Sequence, residues 1–231
     1  MRILKVIIKK FFAFFHISVS RICTDKPNPI HLWEEDGAFK NEMKLIEKST
    51  LVDKYCCFML YQFVKHVATL PGDVAEIGVY KGGTAKLLAR GFEPFKKRVH
   101  LFDTFAGMPS TDSVKDIHKA GDFNDTSLKS VQKFLQDNKN VSFYQGIFPS
   151  TSQPIVNKTF CLVHIDVDIY KSVRDCCVFF YPRMDRGGMM VFDDYGALTC
   201  PGAKMAVDEF FADKPEKPFY LPTGQCVVAR F

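Results

Sequence analysis

The stretch Ala75-Glu76-Ile77-Gly78-Val79-Tyr80-Lys81-Gly82-Gly83-Thr84 decides the fold of this 231-residue chain. Residues 73–77 predict a short buried strand, and residues 83–90 have the pattern of a helix. The glycines between them let the backbone approach a bulky ligand and supply amide groups at a helix N-terminus. A strand, a glycine-rich turn and a helix in that order predict an α/β domain with a binding site at the turn.

Strands and helices alternate along the rest of the chain, and the short strands lack the period-2 pattern of half-exposed ones. This arrangement predicts a mostly parallel sheet with helices on both faces. The further predicted strands are residues 99–102, 141–144, 160–165, 188–192 and 225–231, and the further predicted helices are residues 126–136, 172–181 and 202–212.

Three segments are predicted from composition. Residues 1–23 form an apolar and basic arm, residues 24–70 a helical extension, and residues 71–231 the α/β domain. Within the extension, apolar residues recur at helical spacing from Met43 to Leu70, where Pro71-Gly72 ends the pattern.

The arm contains Lys9 and Lys10 inside its apolar run. These charges deny it the roughly 20 uninterrupted apolar residues of a membrane-spanning helix. A secretory signal would place its charges ahead of the apolar run. Two interpretations stay open: a helix packed on the domain or on a second subunit of a homo-oligomer, or an amphipathic anchor in peripheral contact with a membrane. The expected location is therefore the cytoplasm, with membrane association on the cytoplasmic face as the second interpretation.

Charge and cysteine content narrow the class of partner. The net charge is +5, and no basic stripe is interleaved with aromatic residues, so a nucleic-acid partner is not expected. The eight cysteines show neither a Cys-x-x-Cys pair nor a zinc-like spacing. We expect buried free thiols in a reducing compartment rather than disulfide bonds.

Two acidic residues at strand ends favour a nucleoside-containing cofactor. Glu76 begins the glycine-rich turn, where a carboxylate suits a cation such as the amino group of a methionine moiety. Asp103 ends the second strand, where a carboxylate can accept both ribose hydroxyls. The glycine spacing is not the Gly-x-Gly-x-x-Gly of dinucleotide enzymes, which disfavours a sugar-nucleotide dehydrogenase.

Four more carboxylates follow two neighbouring strands. Asp166 and Asp168 close the fourth strand, and Asp193 and Asp194 close the fifth. Like charges so close raise one another's pKa unless a cation neutralises them, and all-oxygen ligation suits Mg²⁺ or Mn²⁺. We assign Asp166, Asp193 and Asp194 to a metal and Asp168 to a catalytic base, with His164 as the alternative base.

These motifs resemble the TylF/MycF, macrocin-type sugar O-methyltransferases of the class I methyltransferase superfamily. The resemblance covers about residues 70–211, most of the chain, and is carried by residues 75–83, 102–109, 166–172, 187–196 and 202–210. It implies a Rossmann-like, mostly parallel seven-stranded sheet with an antiparallel C-terminal strand. It also implies S-adenosylmethionine (SAM) as cofactor, Mg²⁺ on the aspartates, and transfer to a hydroxyl of a sugar, a glycosylated metabolite or a glycan.

The resemblance extends to segments around the cofactor. Gly121-Asp122-Phe123 and Gly146-Ile147-Phe148-Pro149 are similar to family segments near the cofactor and the active-site lid, and residues 110–125 are a candidate lid. The full set of expected cofactor contacts is Glu76, Gly78, Tyr80, Gly82, Gly83, Thr84, Asp103, Thr104, Phe105, Met108, Phe123, Gly146 and Asp166.

Features outside the resemblance keep other functions open. His164 stands where the family leads us to expect an arginine or an apolar residue, and the arm has no counterpart. A catechol-type, metal-dependent O-methyltransferase uses the same cofactor and a metal on this architecture. A non-catalytic SAM-binding scaffold tethered by the basic arm is a third interpretation.

Overall fold

The structure is a computed structural model that describes residues 32–231. It divides into two compact units, Met1–Glu35 and Asp36–Phe231. In the first unit the structure describes one short helix, α1 (Leu32–Glu35). The arm of residues 1–23 lies outside the described residues. The second unit begins within the predicted extension, and the predicted boundaries at residues 23 and 70 stay predictions.

A seven-stranded sheet forms the centre of the second unit, in the order β3-β2-β1-β4-β5-β7-β6. The first five strands are parallel, β7 runs antiparallel to β5, and β6 runs antiparallel to β7. This confirms the predicted Rossmann-like architecture. The strands are β1 (Asp73–Ile77), β2 (Val99–Asp103), β3 (Val141–Gln145), β4 (Phe160–Ile165), β5 (Met184–Phe192), β6 (Phe219–Tyr220) and β7 (Cys226–Ala229).

The strand order reverses between β1 and β4, because the chain builds β2 and β3 to one side of β1 and β4 and β5 to the other. Ligands of open α/β sheets bind beyond the carboxyl ends of the strands at such a point. The predicted polar residues follow the strands that meet there. The topology therefore places the candidate site beside β1 and β4.

The helices of this unit follow the predicted pattern with small shifts at their ends. They are α2 (Gly37–Ile46), α3 (Lys54–Val67), α4 (Gly83–Phe92), α5 (Leu128–Phe134), α6 (Tyr170–Phe180) and α7 (Pro201–Phe211). Three 3₁₀ turns are added, at Glu93–Phe95, Gln153–Ile155 and Tyr181–Arg183.

The helical spacing predicted across residues 43–70 is interrupted in the structure between α2 and α3. Asp53 caps α3, because its Oδ1 accepts a hydrogen bond from the amide of Tyr55 at 2.7 Å. Just before it, Thr50 Oγ1 accepts from the amide of Val52 at 3.0 Å. Such short side-chain bonds compete with a continuous helix. The break leaves residues 47–53 free to reach the candidate site.

Phenylalanines fill the layer between the sheet and its helices. The ring of Phe180 stacks on Phe148 with centroids 5.2 Å apart and meets Phe160 edge-on at 5.1 Å. All three rings are buried. These three phenylalanines are therefore core residues, and replacing such a ring by alanine typically costs about 3–5 kcal/mol.

The cysteines are buried free thiols wherever the structure describes them. Their positions are Cys56, Cys57, Cys161, Cys176, Cys177, Cys200 and Cys226. Burial raises the pKa of Cys56 and of Cys226 to about 12. Among residues 32–231, no helix combines the length and apolar character needed to cross a membrane.

Candidate active site

A cavity of about 300 Å³ opens at the carboxyl ends of the central strands. Most of the predicted site residues line it. They are Gly78, Tyr80, Thr84, Asp103, Thr104, Met108, Phe123, Gly146, Asp166, Asp168, Asp193 and Asp194. Five predicted residues do not line it, and these are Glu76, Gly82, Gly83, Phe105 and His164.

Gly78 is the closest approach between the glycine-rich turn and the acidic cluster. Its φ is +88°, and a Cβ added there would lie 1.7 Å from the carbonyl oxygen of Asp166. Gly78, the first residue after β1, therefore lies directly beside Asp166, the first residue after β4. Only glycine combines this conformation with this contact.

Asp103 organises the turn from the end of β2. Its Oδ2 accepts hydrogen bonds from the amides of Val79 at 2.7 Å and Tyr80 at 2.9 Å. Its Oδ1 accepts from the amide of Phe105 at 2.6 Å. The hydroxyl of Thr104 also lies 3.4 Å from Oδ1. A carboxylate offers about four lone-pair sites, so these contacts leave at most one site of Asp103 for a ligand in the cavity.

Gly83 serves a purpose that the sequence did not indicate. The amide of Gly83 donates to the carbonyl oxygen of Ser49 at 2.8 Å, and a Cβ at Gly83 would lie 2.6 Å from Cβ of Thr50. The bare N-terminus of α4 thus admits residues 47–53. The wall of the cavity gains Thr50, Leu51 and Val52 as a result.

Asp166, Asp193 and Asp194 converge at one edge of the cavity. Each offers one carboxylate oxygen, and these three oxygens lie within 4.8 Å of one another. The predicted metal-ligating residues are thus brought together by the ends of β4 and β5. Three carboxylates at this separation form an all-oxygen donor set of the kind that Mg²⁺ and Mn²⁺ accept.

Electrostatics at the cluster favour a bound cation. Burial raises the pKa of Asp166 well above its usual value, and the charges of Asp193 and Asp194 raise it further. Burial likewise raises the pKa of Asp194, followed by repulsion from Asp168 and Asp193. A divalent cation would offset this repulsion.

Asp168 faces the cavity beside the cluster. Its φ is +59°, a left-handed conformation that is strained for a non-glycine residue. Its amide donates to Oδ2 of Asp194 at 2.9 Å. Its Oδ1 receives a weak hydrogen bond from the thiol of Cys200 at 3.4 Å. Burial raises the pKa of Asp168, which makes its carboxylate a better proton acceptor.

Glu76 and His164 form a buried pair behind the cluster. Nδ1 of His164 lies 2.9 Å from Oε1 of Glu76, and its Nε2 lies 3.3 Å from Oδ1 of Asp193. Both side chains are fully buried. The sequence led us to expect that Glu76 contacts the ammonium group of the cofactor and that His164 is the alternative base. Neither side chain lines the cavity, so the structure does not bring them to these roles. Burial lowers the pKa of His164, but the hydrogen bonds to Asp193 and Glu76 outweigh the effect of burial, so the pKa of His164 is raised well above its usual value.

The structure adds three residues that sequence reasoning missed. Gln225, directly before β7, donates from Nε2 to Oδ1 of Asp193 at 2.7 Å. Cys200 and His118 join Asp168 in a second group of close polar side chains. All three contacts join residues that are far apart in the sequence, so no local motif could have indicated them.

Together the parallel sheet, the glycine-rich turn and the acid at the end of β2 define a Rossmann-like fold of the class I methyltransferases. The O-methyltransferase NovP has this fold, with a TM-score of 0.69 and 26% identity over 79% of this chain and 82% of that one. A calicheamicin methyltransferase superposes with a TM-score of 0.68 at 16% identity, over 92% of this chain and 98% of that one.

The chain belongs to the macrocin O-methyltransferase (TylF) family, whose sequence model matches residues 47–218. It is 29% identical over 157 residues to a demethyldecarbamoylnovobiocin O-methyltransferase of Streptomyces niveus, covering 62% of this chain and 59% of that protein. It is 31% identical over 160 residues to a mycinamicin III 3''-O-methyltransferase of Micromonospora griseorubida, covering 61% of each. The match thus spans about three fifths of the length of these curated relatives.

Proposed function

We propose that the chain is a SAM-dependent O-methyltransferase that methylates a hydroxyl of a sugar, a glycosylated metabolite or a glycan. A divalent metal held by Asp166, Asp193 and Asp194 assists the transfer. The observation that carries the proposal is the convergence of these three carboxylates on the same cavity as the glycine-rich turn. Cofactor and acceptor sites then share one wall, as group transfer between two bound molecules requires.

The cofactor half of the cavity fits SAM. Gly78 lines the cavity, and its lack of a side chain lets the turn lie against the backbone of Asp166. Asp103 fixes the amides of the turn and lines the cavity. Met108 and Phe123 add apolar surface to the wall of the cavity. We assign the turn and Asp103 to SAM, and we assign Glu76 an indirect part through the buried His164.

The acceptor half contains the acidic cluster and the base. When bound, SAM supplies an electrophilic methyl group, and the metal supplies Lewis acidity that favours loss of the hydroxyl proton. Asp166, Asp193 and Asp194 hold the cation, while Gln225 and His164 hold Oδ1 of Asp193 in place. Asp168 accepts the proton of the acceptor hydroxyl on its carboxylate.

The names of the relatives favour the acceptor class. One is an O-methyltransferase named for demethyldecarbamoylnovobiocin, another acts on mycinamicin III at a 3''-oxygen, and a third acts on a rhamnosyl tetracenomycin at a 4'-oxygen. Two of the names give a primed position of the acceptor, and one of these two names prints a rhamnosyl group. A glycosidic hydroxyl is therefore the acceptor that we propose for this chain.

The test combines binding with turnover. Calorimetry measures SAM affinity with and without Mg²⁺, and mass spectrometry follows methyl transfer to a panel of glycosides, glycans and catechols. We expect a mass gain of one methyl group on a glycoside, and its loss on addition of EDTA. Restoration by Mg²⁺ or Mn²⁺ completes the expected result.

Two outcomes would overturn the proposal in different ways. Turnover of catechols alone would establish the catechol-type alternative. SAM binding that ignores metal, together with no turnover of any hydroxyl acceptor, would establish a non-catalytic SAM-binding scaffold. The variant Asp194→Ala serves as the matched control for residual activity in the preparation.

A further inference from the structure

Residues 110–125, here called the lid loop, are seated on the start of two helices. Oδ1 of Asp116 accepts a hydrogen bond from the amide of Tyr170, the first residue of α6, at 2.8 Å. Nζ of Lys115 lies 3.3 Å from the centroid of the Tyr170 ring. A Cβ added to Gly202 in α7 would lie 2.2 Å from Oδ1 of Asp116. The lid loop therefore packs against the first turns of α6 and α7, and this packing is what we mean by a seated loop.

From this seat the lid loop extends His118 into the candidate active site. Nδ1 of His118 lies 3.1 Å from Oδ2 of Asp122, which also accepts the amide of Lys119 at 3.0 Å. The opposite ring nitrogen, Nε2, lies 3.8 Å from Oδ1 of Asp168. The ring also packs against Phe123 with centroids 5.3 Å apart. One edge of the imidazole is therefore fixed within the loop and the other faces the base.

We propose that His118 is a positioning residue that orients the carboxylate of Asp168 towards the acceptor hydroxyl when the lid loop is seated. This inference rests on the proposed function and adds a residue to it. Packing of the lid loop onto the helices then also orients the carboxylate of Asp168.

The surroundings of Asp168 explain why its carboxylate needs such a partner. Its amide is fixed by Asp194, but this bond holds the backbone and leaves the side-chain torsions free. At Oδ1 the neighbours are the weak thiol donor of Cys200 at 3.4 Å and the imidazole of His118. The thiol is a weak hydrogen-bond donor, and Nε2 of His118 at 3.8 Å lies beyond direct hydrogen-bond distance, so the imidazole acts on the carboxylate electrostatically. Removal of the ring frees the carboxylate to rotate.

The lid loop also covers the cavity. His118 and Phe123 both belong to its wall, and Tyr80 on the opposite side hydrogen-bonds from its hydroxyl to Asp125 at 2.9 Å. A seated loop excludes water from the reacting groups, which strengthens their electrostatic interactions. His118 is the residue of the lid loop that approaches the proposed base, Asp168.

Three variants test the proposal in the full-length chain. His118→Ala removes the ring, and His118→Gln keeps a polar amide of similar reach. Lys119→Ala is the matched control, because it changes the adjacent exposed residue while the backbone amide that Asp122 accepts is retained. SAM affinity measured by calorimetry reports whether the cavity stays intact in each variant.

We expect His118→Ala to lower kcat by about tenfold to a hundredfold, since a small misplacement of a reacting group has this effect. KM for SAM should change less than about threefold. His118→Gln should recover part of kcat, and Lys119→Ala should behave as wild type. A fall in SAM affinity equal to the fall in kcat, or no change in kcat, would overturn the proposal.

A double variant separates positioning from a general structural effect. If His118 acts through Asp168, His118→Ala combined with Asp168→Asn should be no slower than Asp168→Asn alone, within about threefold. Multiplication of the two separate losses would contradict the proposal.

A readout without turnover distinguishes this inference from the proposed function. We expect Asp168→Asn to shift the ¹⁵N resonance of Nε2 of His118, while the resonance of His100 on the far end of the sheet stays unchanged. An unshifted His118 signal would overturn the contact itself. Absence of methyl transfer by the wild type, with the His118 shift present, would instead refute the proposed function.

Discussion

The backbone amide of Asp168 donates a hydrogen bond to Oδ2 of Asp194 over 2.9 Å. The proposed base and a proposed metal ligand are thereby joined across the ends of β4 and β5. One oxygen of Asp194 is committed to the backbone of its neighbour, and the other is available to the cavity. A change at Asp194 should therefore affect the metal site and the loop of the base together.

Substitution of Asp194 separates its charge from its hydrogen bond. Asp194→Asn keeps an oxygen acceptor for the amide of Asp168, whereas Asp194→Ala removes both. We expect both variants to lose Mn²⁺ binding, measured by electron paramagnetic resonance, and most turnover. SAM affinity should stay within about threefold of wild type.

The metal-free stability of these variants provides an independent comparison. Burial and the charges of Asp168 and Asp193 disfavour the ionised form of Asp194 by raising its pKa. Asp194→Asn should therefore unfold in urea with a free energy at least equal to that of the wild type. Asp194→Ala should be less stable than Asp194→Asn by about 1 kcal/mol, the usual value of a hydrogen bond. Equal stability of the two variants would contradict the role of the hydrogen bond.

Asp168→Asn tests the proton acceptor. The amide cannot take the proton, so we expect kcat to fall by about a hundredfold or more, in line with the usual effect of a general base. Mn²⁺ affinity should be nearly unchanged, because Asp168 lies outside the set of metal-ligating aspartates. A normal rate in this variant would move the base to another residue.

Gly78→Ala tests the close contact between the glycine-rich turn and the backbone of Asp166. The new Cβ would meet the carbonyl oxygen of Asp166 and would require a φ of +88°. Gly224→Ala is the matched control, since its φ is +99° and no atom lies within 4 Å of its added Cβ. We expect Gly78→Ala to reduce the free energy of unfolding by more than the control does, and to abolish SAM binding in calorimetry. Equal losses would assign the effect to backbone strain alone.

Glu216 gives a prediction on acid stability. Burial disfavours its ionised form, but hydrogen bonds from the hydroxyl of Tyr181, at 2.7 Å, and from Arg230 outweigh this and lower the pKa of Glu216 to about 2. A lowered folded-state pKa stabilises the fold above the unfolded-state pKa, which is near the ordinary value of 4.5. This contribution should be lost as the pH falls from about 4.5 to 2.

The measurement is urea unfolding of the wild type and Glu216→Gln across this range. We expect the variant to be less stable by about 1.5–3 kcal/mol near pH 7, the typical value for a hydrogen bond to a charged group. The difference should shrink steadily below pH 4.5. A constant difference down to pH 2 would show that the charge of Glu216 is not involved.

The sequence was sufficient to predict the sheet and the meeting of the aspartates. Asp166, Asp193 and Asp194 each follow an apolar strand, and parallel strands bring such positions to the same edge. Short strands buried on both faces are also recognisable from their continuous apolar runs. These features depend on local composition and on general rules of topology.

The positions of Glu76 and His164 depended on strand pairing. The two residues are register partners on β1 and β4, so their side chains lie on the same face of the sheet. Their neighbours Ala75, Ile77, Val163 and Ile165 belong to the hydrophobic cluster on one face, so the pair lies on the other face, where it is fully buried. The sequence shows each residue at a strand end but not which face it occupies.

The position of the lid loop and the break between α2 and α3 also could not be predicted from the sequence, because both depend on tertiary contacts. His118 contacts a residue 50 positions later in the chain, and Thr50 enters the wall because Gly83 leaves room for it. Neither contact produces a periodic pattern. Helical spacing across residues 47–53 even favoured the wrong local structure, because capping by Asp53 outweighed it.

The seven buried thiols among residues 32–231 can report local unfolding, because each becomes reactive only when its segment opens. A water-soluble aromatic disulfide needs an exposed thiolate, and burial both shields these sulfur atoms and keeps them protonated. Modification at each of them can proceed only as fast as the surrounding segment detaches. Mass-resolved labelling at Cys56, Cys176 and Cys226 would therefore rank α3, α6 and β7 by how readily each separates from the sheet.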